Sequence, residues 1–231
     1  RCKMPLVYYH VWDNTPYPTF NKGYYNSCDF IATISKVTDD IVRNVAPDVE
    51  TCYLPHAVSN EIFKPFDKEV ISQARKDAGI GEGQKLFFWN NRNARRKQSG
   101  SLIYWFKEFL DKVGRDKAML LMHTNPTDQA GQNLHAIVSS LGLTNGEVKF
   151  STTDAEGFGL SSLESLSCGT PVINTMTGGL QEQVTDGENW FGIGIEPASK
   201  AIIGSQQVPY IYEDRISEDD FVNALTKMFH Y

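Results

Sequence analysis

The sequence predicts an α/β fold with parallel sheets covered by helices, and three observations predict it. Short runs rich in β-branched and aromatic residues alternate with amphipathic stretches of helical period. Glycines stand where several of those stretches stop, at Gly79, Gly114 and Gly169. The longest apolar runs, Leu86 to Trp89 and Ala118 to Met122, are strand-sized. In order, PLVYYHV (5–11) and DFIATIS (29–35) read as strands, VTDDIVRNV (37–45) as a helix and TCYLPHAV (51–58) as a strand. KEVISQARKDAGI (68–80) is helical, KLFFWN (85–90) extended, SGSLIYWFKEFLDKVG (99–114) an amphipathic helix and KAMLLMHT (117–124) a strand. DQAGQNLHAIVSSLG (128–142) reads as a helix, EVKFS (147–151) as a strand, GLSSLESLSCG (159–169) as a helix and TPVINT (170–175) as a strand. GGLQEQVTDG (178–187) is a loop with a short helix, FGIGIEP (191–197) a strand and SEDDFVNALTKMF (217–229) the last helix. The mixed-charge segment 58–69 with Pro65 reads as a linker, so the boundary is expected near Phe66, giving pieces 1–66 and 67–231.

Composition narrows the function classes. Of 231 residues, 41% are hydrophobic and 22% charged, which suits a globular protein and excludes a disordered or collagen-like chain. Twenty-eight Asp and Glu exceed 22 Lys and Arg, and the net charge of -6 argues against nucleic acid as partner. The four cysteines, at 2, 28, 52 and 168, form no CxxC pair and no zinc spacing, so free thiols in a reducing compartment are expected. No apolar run approaches the roughly 20 residues of a membrane helix, and a soluble cytoplasmic location is expected. The opening RCKMPLVYYHVWDN lacks an initiator Met and begins in strand-like sequence, so the chain reads as the ordered part of something longer.

Chemistry concentrates in TDAEGFGLSSLE (153–164). Gly157 and Gly159 let backbone N–H groups approach an anion, and the helix that follows adds its positive end. Glu156 is suited to accept hydrogen bonds from sugar hydroxyls, and Glu164, farther along the helix, from a second polyol such as a ribose. Two carboxylates flanking an anion site suit a nucleotide-sugar. The plain alternative is a strand-to-helix turn with surface glutamates. GFGLSS also approaches the GxGxxG dinucleotide fingerprint, but the next strand ends at Asn174 and Thr175, where that fingerprint wants an acidic residue.

EGFGLSSLESLSCGTPVINTMTGGLQEQVTDGENW (156–190) resembles the donor-site signature of family 4 glycosyltransferases, group 1 enzymes of the two-domain GT-B fold. The paired glutamates, the Gly-x-Pro-Val strand, the Gly-Gly-hydrophobic-x-Glu loop and the Asp-Gly turn stand in the family's order. NNRNARRKQSGSLI (90–103) resembles the family's basic loop, with Arg92 and Lys97 at its matching positions. The resemblance implies two Rossmann-like domains with parallel sheets, the N-terminal one only partly present. It also implies a retaining hexosyltransferase-like enzyme of glycan biosynthesis, moving a sugar from a nucleotide-sugar donor to a glycan or other hydroxyl acceptor. Glu156, Arg92, Lys97 and His10 are then the catalytic candidates. Gly157, Phe158, Gly159, Leu160, Glu164, Gly178 and Gly179 are the donor-binding ones. An Arg fork and a Lys point charge suit a leaving diphosphate; alone, NRNARRK also reads as a solvated basic loop. Ser35 and Lys36 match a recurrent Ser-Lys pair, and Trp12, Tyr17, Tyr24 and Tyr25 offer either an acceptor-stacking surface or ordinary packing. No Asp-x-Asp occurs, so neither a metal nor another cofactor is expected. The direct run from EVKFS into the glutamate loop departs from the family, which inserts a helix and a strand there; residues are expected to be missing near Phe150 to Thr152. A non-catalytic nucleotide-sugar or glycan-binding module, and another GT-B-like enzyme such as a sugar-nucleotide epimerase, are the rival readings.

Overall fold

The computed structural model describes residues 4–151, 160–206, 208 and 210–231. Its elements, in order, are β1 (Val7–His10), α1 (Lys22–Tyr25), β2 (Phe30–Thr33), α2 (Lys36–Val45), β3 (Glu50–Tyr53), α3 (Lys68–Asp77), β4 (Lys85–Asn90) and α4 (Ser99–Val113). They continue with β5 (Ala118–His123), α5 (Leu134–Ser140), β6 (Val148–Ser151), α6 (Leu160–Ser167), β7 (Val172–Thr175), α7 (Gln181–Val184), β8 (Gly192–Ile195), β9 (Ser199–Ile203), β10 (Ile211–Arg215) and α8 (Glu218–His230). The expected alternation is present, and the three sheets it forms, β1-β2-β3, β4-β5-β6 and β7-β8, are all parallel. The β9-β10 pair is antiparallel and was not expected from the sequence.

Contacts divide the chain into two units, residues 1–59 with 171–217 and residues 60–170 with 218–231. The first change of unit, between Ser59 and Asn60, falls inside the segment expected to be a linker.

In the first unit, Ser35 caps α2: its Oγ accepts the Thr38 N–H at 3.1 Å, which satisfies one of the orphan donors of the first turn. Ile41, Val42 and Val45 recur at helical spacing and bury one face of α2 with Ile31 of β2, Ala46 and Tyr25. Trp12 packs on this cluster and sets its ring edge-to-face on Phe20, with Nε1 donating to Asn14 O. Tyr25 is buried too, so for Trp12 and Tyr25 packing, not a stacking surface, is what the fold shows. Tyr24 is 74% exposed, and Tyr17 donates its hydroxyl to Asp40.

In the second unit, Ile103, Phe106, Phe109 and Leu110 form the buried stripe of α4. Phe87 of β4 meets Phe106 and Phe109 edge-to-face, and α8 lies along α4 through the pairs Trp105–Phe221 and Phe109–Phe229. Gly114 and Gly169, both at positive φ, stop α4 and α6. The helix expected from Asp128 begins only at Leu134, because Asp128 and Asn133 turn their side chains on their own backbone: Oδ1 of Asp128 accepts Ala130 N–H, and Oδ1 of Asn133 caps Ala136 N–H.

Candidate functional site

Of the residues singled out above, Glu156, Gly157, Phe158 and Gly159 lie outside the described residues. The interval expected to lack residues ends β6 at Ser151 and passes into the same stretch. The others fall into two groups, one in each unit.

In the second unit, Arg92 and Lys97 occupy the loop between β4 and α4. Its centre is Asn93, which has no exposed surface. Asn93 Oδ1 accepts from Ser99 Oγ at 2.6 Å, and its Nδ2 donates to Gln132 O at 2.7 Å, so the β4–α4 loop is stitched to the β5–α5 loop. Gln132 Oε1 accepts Gly100 N–H at 3.1 Å and adds a second stitch. Gly131 is obligatory there: a β-carbon on it would lie 2.2 Å from Asn93 O. With its neighbours fixed, Arg92 reaches Asp128 through Nε at 2.7 Å and Nη2 at 3.3 Å, and these hydrogen bonds, with the one from Ala130 N–H, hold the Asp128 carboxyl below the usual range. Lys97 ends a short 3-10 turn, Arg95–Lys97, and is followed by Gln98 at φ 52°, a left-handed conformation that a non-glycine residue rarely adopts. On α6, Glu164 lies one turn after Leu160, so both fall on the same side of the helix.

In the first unit, Gly178 and Gly179 open a 3-10 turn that leads into α7. A β-carbon on Gly178, whose φ is +50°, would lie 2.8 Å from Asp13 Oδ2, and one on Gly179 3.1 Å from the β-carbon of Ser35. Both approaches are tight, and the φ of Gly178 is one that side chains rarely adopt. Thr177 donates its hydroxyl to Asp214 just before the pair, and just after it Glu182 accepts the Lys36 N–H and the Tyr53 hydroxyl, both at 2.9 Å. Burial and Glu182 together push Tyr53 up to about 12. Of the Ser-Lys pair, Ser35 thus caps α2 and Lys36 ties that helix to the Gly-Gly loop.

His10 ends β1 and is 4% exposed. Its Nε2 is hydrogen-bonded to the Tyr25 hydroxyl at 2.7 Å, while Nδ1 is buried with no hydrogen-bond partner. Burial lowers its pKa to about 4, so the ring is neutral near pH 7. A neutral imidazole with one unsatisfied nitrogen suits a ligand hydroxyl better than a charged group.

Asp128, Asn93, Gln132, Asp13 and Asp214 were not singled out in the sequence. Asp128 and Asp13 meet Arg92 and Gly178 across long separations, and the other three hold the neighbours of those residues. Among the described residues no cluster of three or more His, Cys, Asp or Glu is placed to hold a metal ion, and no helix is long and apolar enough to cross a membrane.

Residues 139–228 match the sequence model of the family described as glycosyl transferases group 1, a stretch that includes Glu156, Leu160, Glu164, Gly178 and Gly179. The chain is 25% identical over 158 residues to N-acetyl-alpha-D-glucosaminyl L-malate synthase of Bacillus anthracis, covering 62% of this chain and 40% of that protein. It is also 25% identical over 197 residues to D-inositol 3-phosphate glycosyltransferase of Streptomyces bingchenggensis, covering 74% and 43%. It thus spans about two fifths of the length of these relatives. Its fold is similar to that of Anabaena Alr3699/HepE, solved in complex with UDP and glucose, with a TM-score of 0.62 and 20% identity over 84% of this chain and 59% of that one. The resemblance to group 1 glycosyltransferases and the GT-B type of α/β fold are borne out.

Proposed function

We propose that this chain belongs to a glycosyltransferase that moves a sugar from a nucleotide-sugar donor to a glycan or other hydroxyl acceptor, with retention of anomeric configuration and without a metal. The observation that carries the reading is the Gly178–Gly179 turn: it lies within the family match, and two successive glycines, the first at φ +50°, present backbone rather than side chains, as an oxyanion-binding turn does. In the reaction the bond from the anomeric carbon to the diphosphate breaks, the acceptor oxygen bonds to that carbon, the acceptor's proton passes to the departing diphosphate, and negative charge grows on that nucleoside diphosphate as it leaves. Arg92 and Lys97 neutralise that charge, assisted by the amides at Gly178 and Gly179. Glu156 orients the donor sugar, and Glu164 binds the nucleotide ribose. The amides from Gly157 through Phe158 and Gly159 to Leu160 face sugar and phosphate oxygens. Neutral His10 offers its buried Nδ1 to a sugar hydroxyl. Residues 1–66 are assigned to the acceptor side and 67–231 to the donor side, in a soluble cytoplasmic enzyme.

The test is 31P and 1H NMR of UDP-, GDP- and ADP-sugars incubated with the protein, a panel of sugar acceptors and EDTA. Acceptor-dependent release of one nucleoside diphosphate, with the product anomer matching the donor, is expected. Binding of that nucleotide with no turnover would favour the binding-module reading. Turnover only after divalent metal is added would remove the metal-independent one.

A further inference from the structure

His10 carries a buried polar atom that the fold leaves unanswered. It ends β1 opposite Thr33 of β2, and its carbonyl accepts the Ile34 N–H at 3.1 Å, so its backbone is fixed in the sheet. Its ring meets two tyrosines, with centroids 5.1 Å from Tyr8 and 5.0 Å from Tyr25, the latter edge-on. Tyr25 is 2% exposed and packs in the apolar cluster with Ile31, Ile41 and Val42. Its hydroxyl lies 2.7 Å from His10 Nε2, and Asn21 Nδ2 approaches the same oxygen at 3.5 Å.

Counting hydrogens decides which nitrogen of the ring bears one. Burial keeps the imidazole neutral near pH 7, so one nitrogen donates and the other accepts. The Tyr25 hydroxyl is buried among apolar side chains and must place its single hydrogen on an acceptor. Of the two groups at its oxygen, the Asn21 amide nitrogen only donates, so His10 Nε2 is the acceptor in reach. The imidazole hydrogen then sits on Nδ1, which is the buried atom with no hydrogen-bond partner. A buried N–H without an acceptor is costly, and a ligand oxygen relieves that cost.

We propose that Tyr25 is a positioning residue: by donating to His10 Nε2 it holds the ring hydrogen on Nδ1, so that His10 serves the donor sugar as a hydrogen-bond donor and not as a base. The sugar as ligand rests on the nucleotide-sugar reading; the tautomer does not. In the other tautomer Nδ1 is a lone pair, able to take a proton from an acceptor hydroxyl. The two states assign His10 opposite roles, and one hydrogen separates them.

The experiment is 15N NMR of the imidazole nitrogens at pH 7 in the wild type and Tyr25→Phe, with His10 identified as the signal absent from His10→Gln. The wild type is expected to bear its hydrogen on Nδ1. In Tyr25→Phe the hydrogen passes wholly or partly to Nε2, since nothing then donates to that nitrogen. A wild-type hydrogen on Nε2 overturns the proposal, because Tyr25 is then the acceptor, and so does an unchanged tautomer in the variant. A second arm compares Kd for UDP-, GDP- and ADP-glucose with Kd for the matching nucleoside diphosphates. Tyr25→Phe is expected to weaken the nucleotide-sugar by about 3- to 10-fold, the size of one hydrogen bond, and to leave the diphosphate unchanged. Equal losses for both would make Tyr25 a packing residue and overturn its positioning role. If none of these probes binds the wild type, the nucleotide-sugar reading falls and the role toward a sugar falls with it, while the NMR arm still decides what Tyr25 does to His10.

Discussion

The two loops proposed to meet phosphate are built in opposite ways. The basic loop carries its chemistry on an exposed side chain, Arg92, and spends its buried interactions, through Asn93 and Gln132, on holding that side chain's base and its carboxylate partner. The Gly178–Gly179 loop carries its chemistry on backbone and is surrounded by carboxylates: Asp13 against Gly178, Asp214 on Thr177 and Glu182 on the N-terminus of α2. Side-chain chemistry on a stitched loop can be removed with the fold intact. Backbone chemistry in a crowded turn is altered only by forcing a side chain in, which strains the turn itself.

The sharpest way to break the first half of that contrast is to attack the stitching. Gly131→Ala places a β-carbon against Asn93 O, which cannot move aside, and is expected to cost about 3 kcal/mol or more of stability in urea unfolding. A loss under about 1 kcal/mol would show that the two loops are not locked. His10 extends the comparison to titration, since it is buried where Arg92 is exposed. Its folded pKa of about 4 lies below the unfolded value near 6.5, so the unfolded chain takes up the proton first. Stability is then full above about pH 6.5 and declines as pH falls toward 4, by roughly 3 kcal/mol, and His10→Gln flattens that limb. An unchanged slope in the variant would assign the limb to other groups.

Gly178→Ala tests the second loop. The positive φ and the contact with Asp13 are expected to cost about 1 to 2 kcal/mol, moderated because the Asp13 side chain can shift. A neutral result would mean that the turn is not backbone-limited. The smallest effect is a gain: Gln98→Gly relieves the left-handed residue beside Lys97 and is expected to add about 0.5 to 1 kcal/mol to stability. If the variant is destabilised, Gln98 makes a compensating contact.

What could be read from the sequence follows from range. The alternation of strands and helices, the parallel sheets and the helix stops at Gly114 and Gly169 depend on periodicity and on residues a few positions apart, and they appear where expected. The β9-β10 hairpin was missed because its strands, SKAII and IYEDR, carry charges within the run and pair across a long loop with no two-residue turn signal. The helix expected at 128 begins at Leu134 because Asx geometry at Asp128 competes with helix formation, a preference that the apolar pattern does not record. At the site, Arg92 and Lys97 were legible as a basic loop. Asp128 was not, since its partner lies 36 residues away and no local rule couples them.

The most direct test of the account is calorimetric titration of UDP, GDP and ADP into the wild-type chain and Arg92→Ala, in EDTA. The account predicts saturable 1:1 binding of one nucleotide to the wild type and an affinity at least 10-fold weaker in the variant, the size expected for a lost charge-assisted fork. Equal affinity in the two proteins, or no heat from any nucleotide, would contradict it.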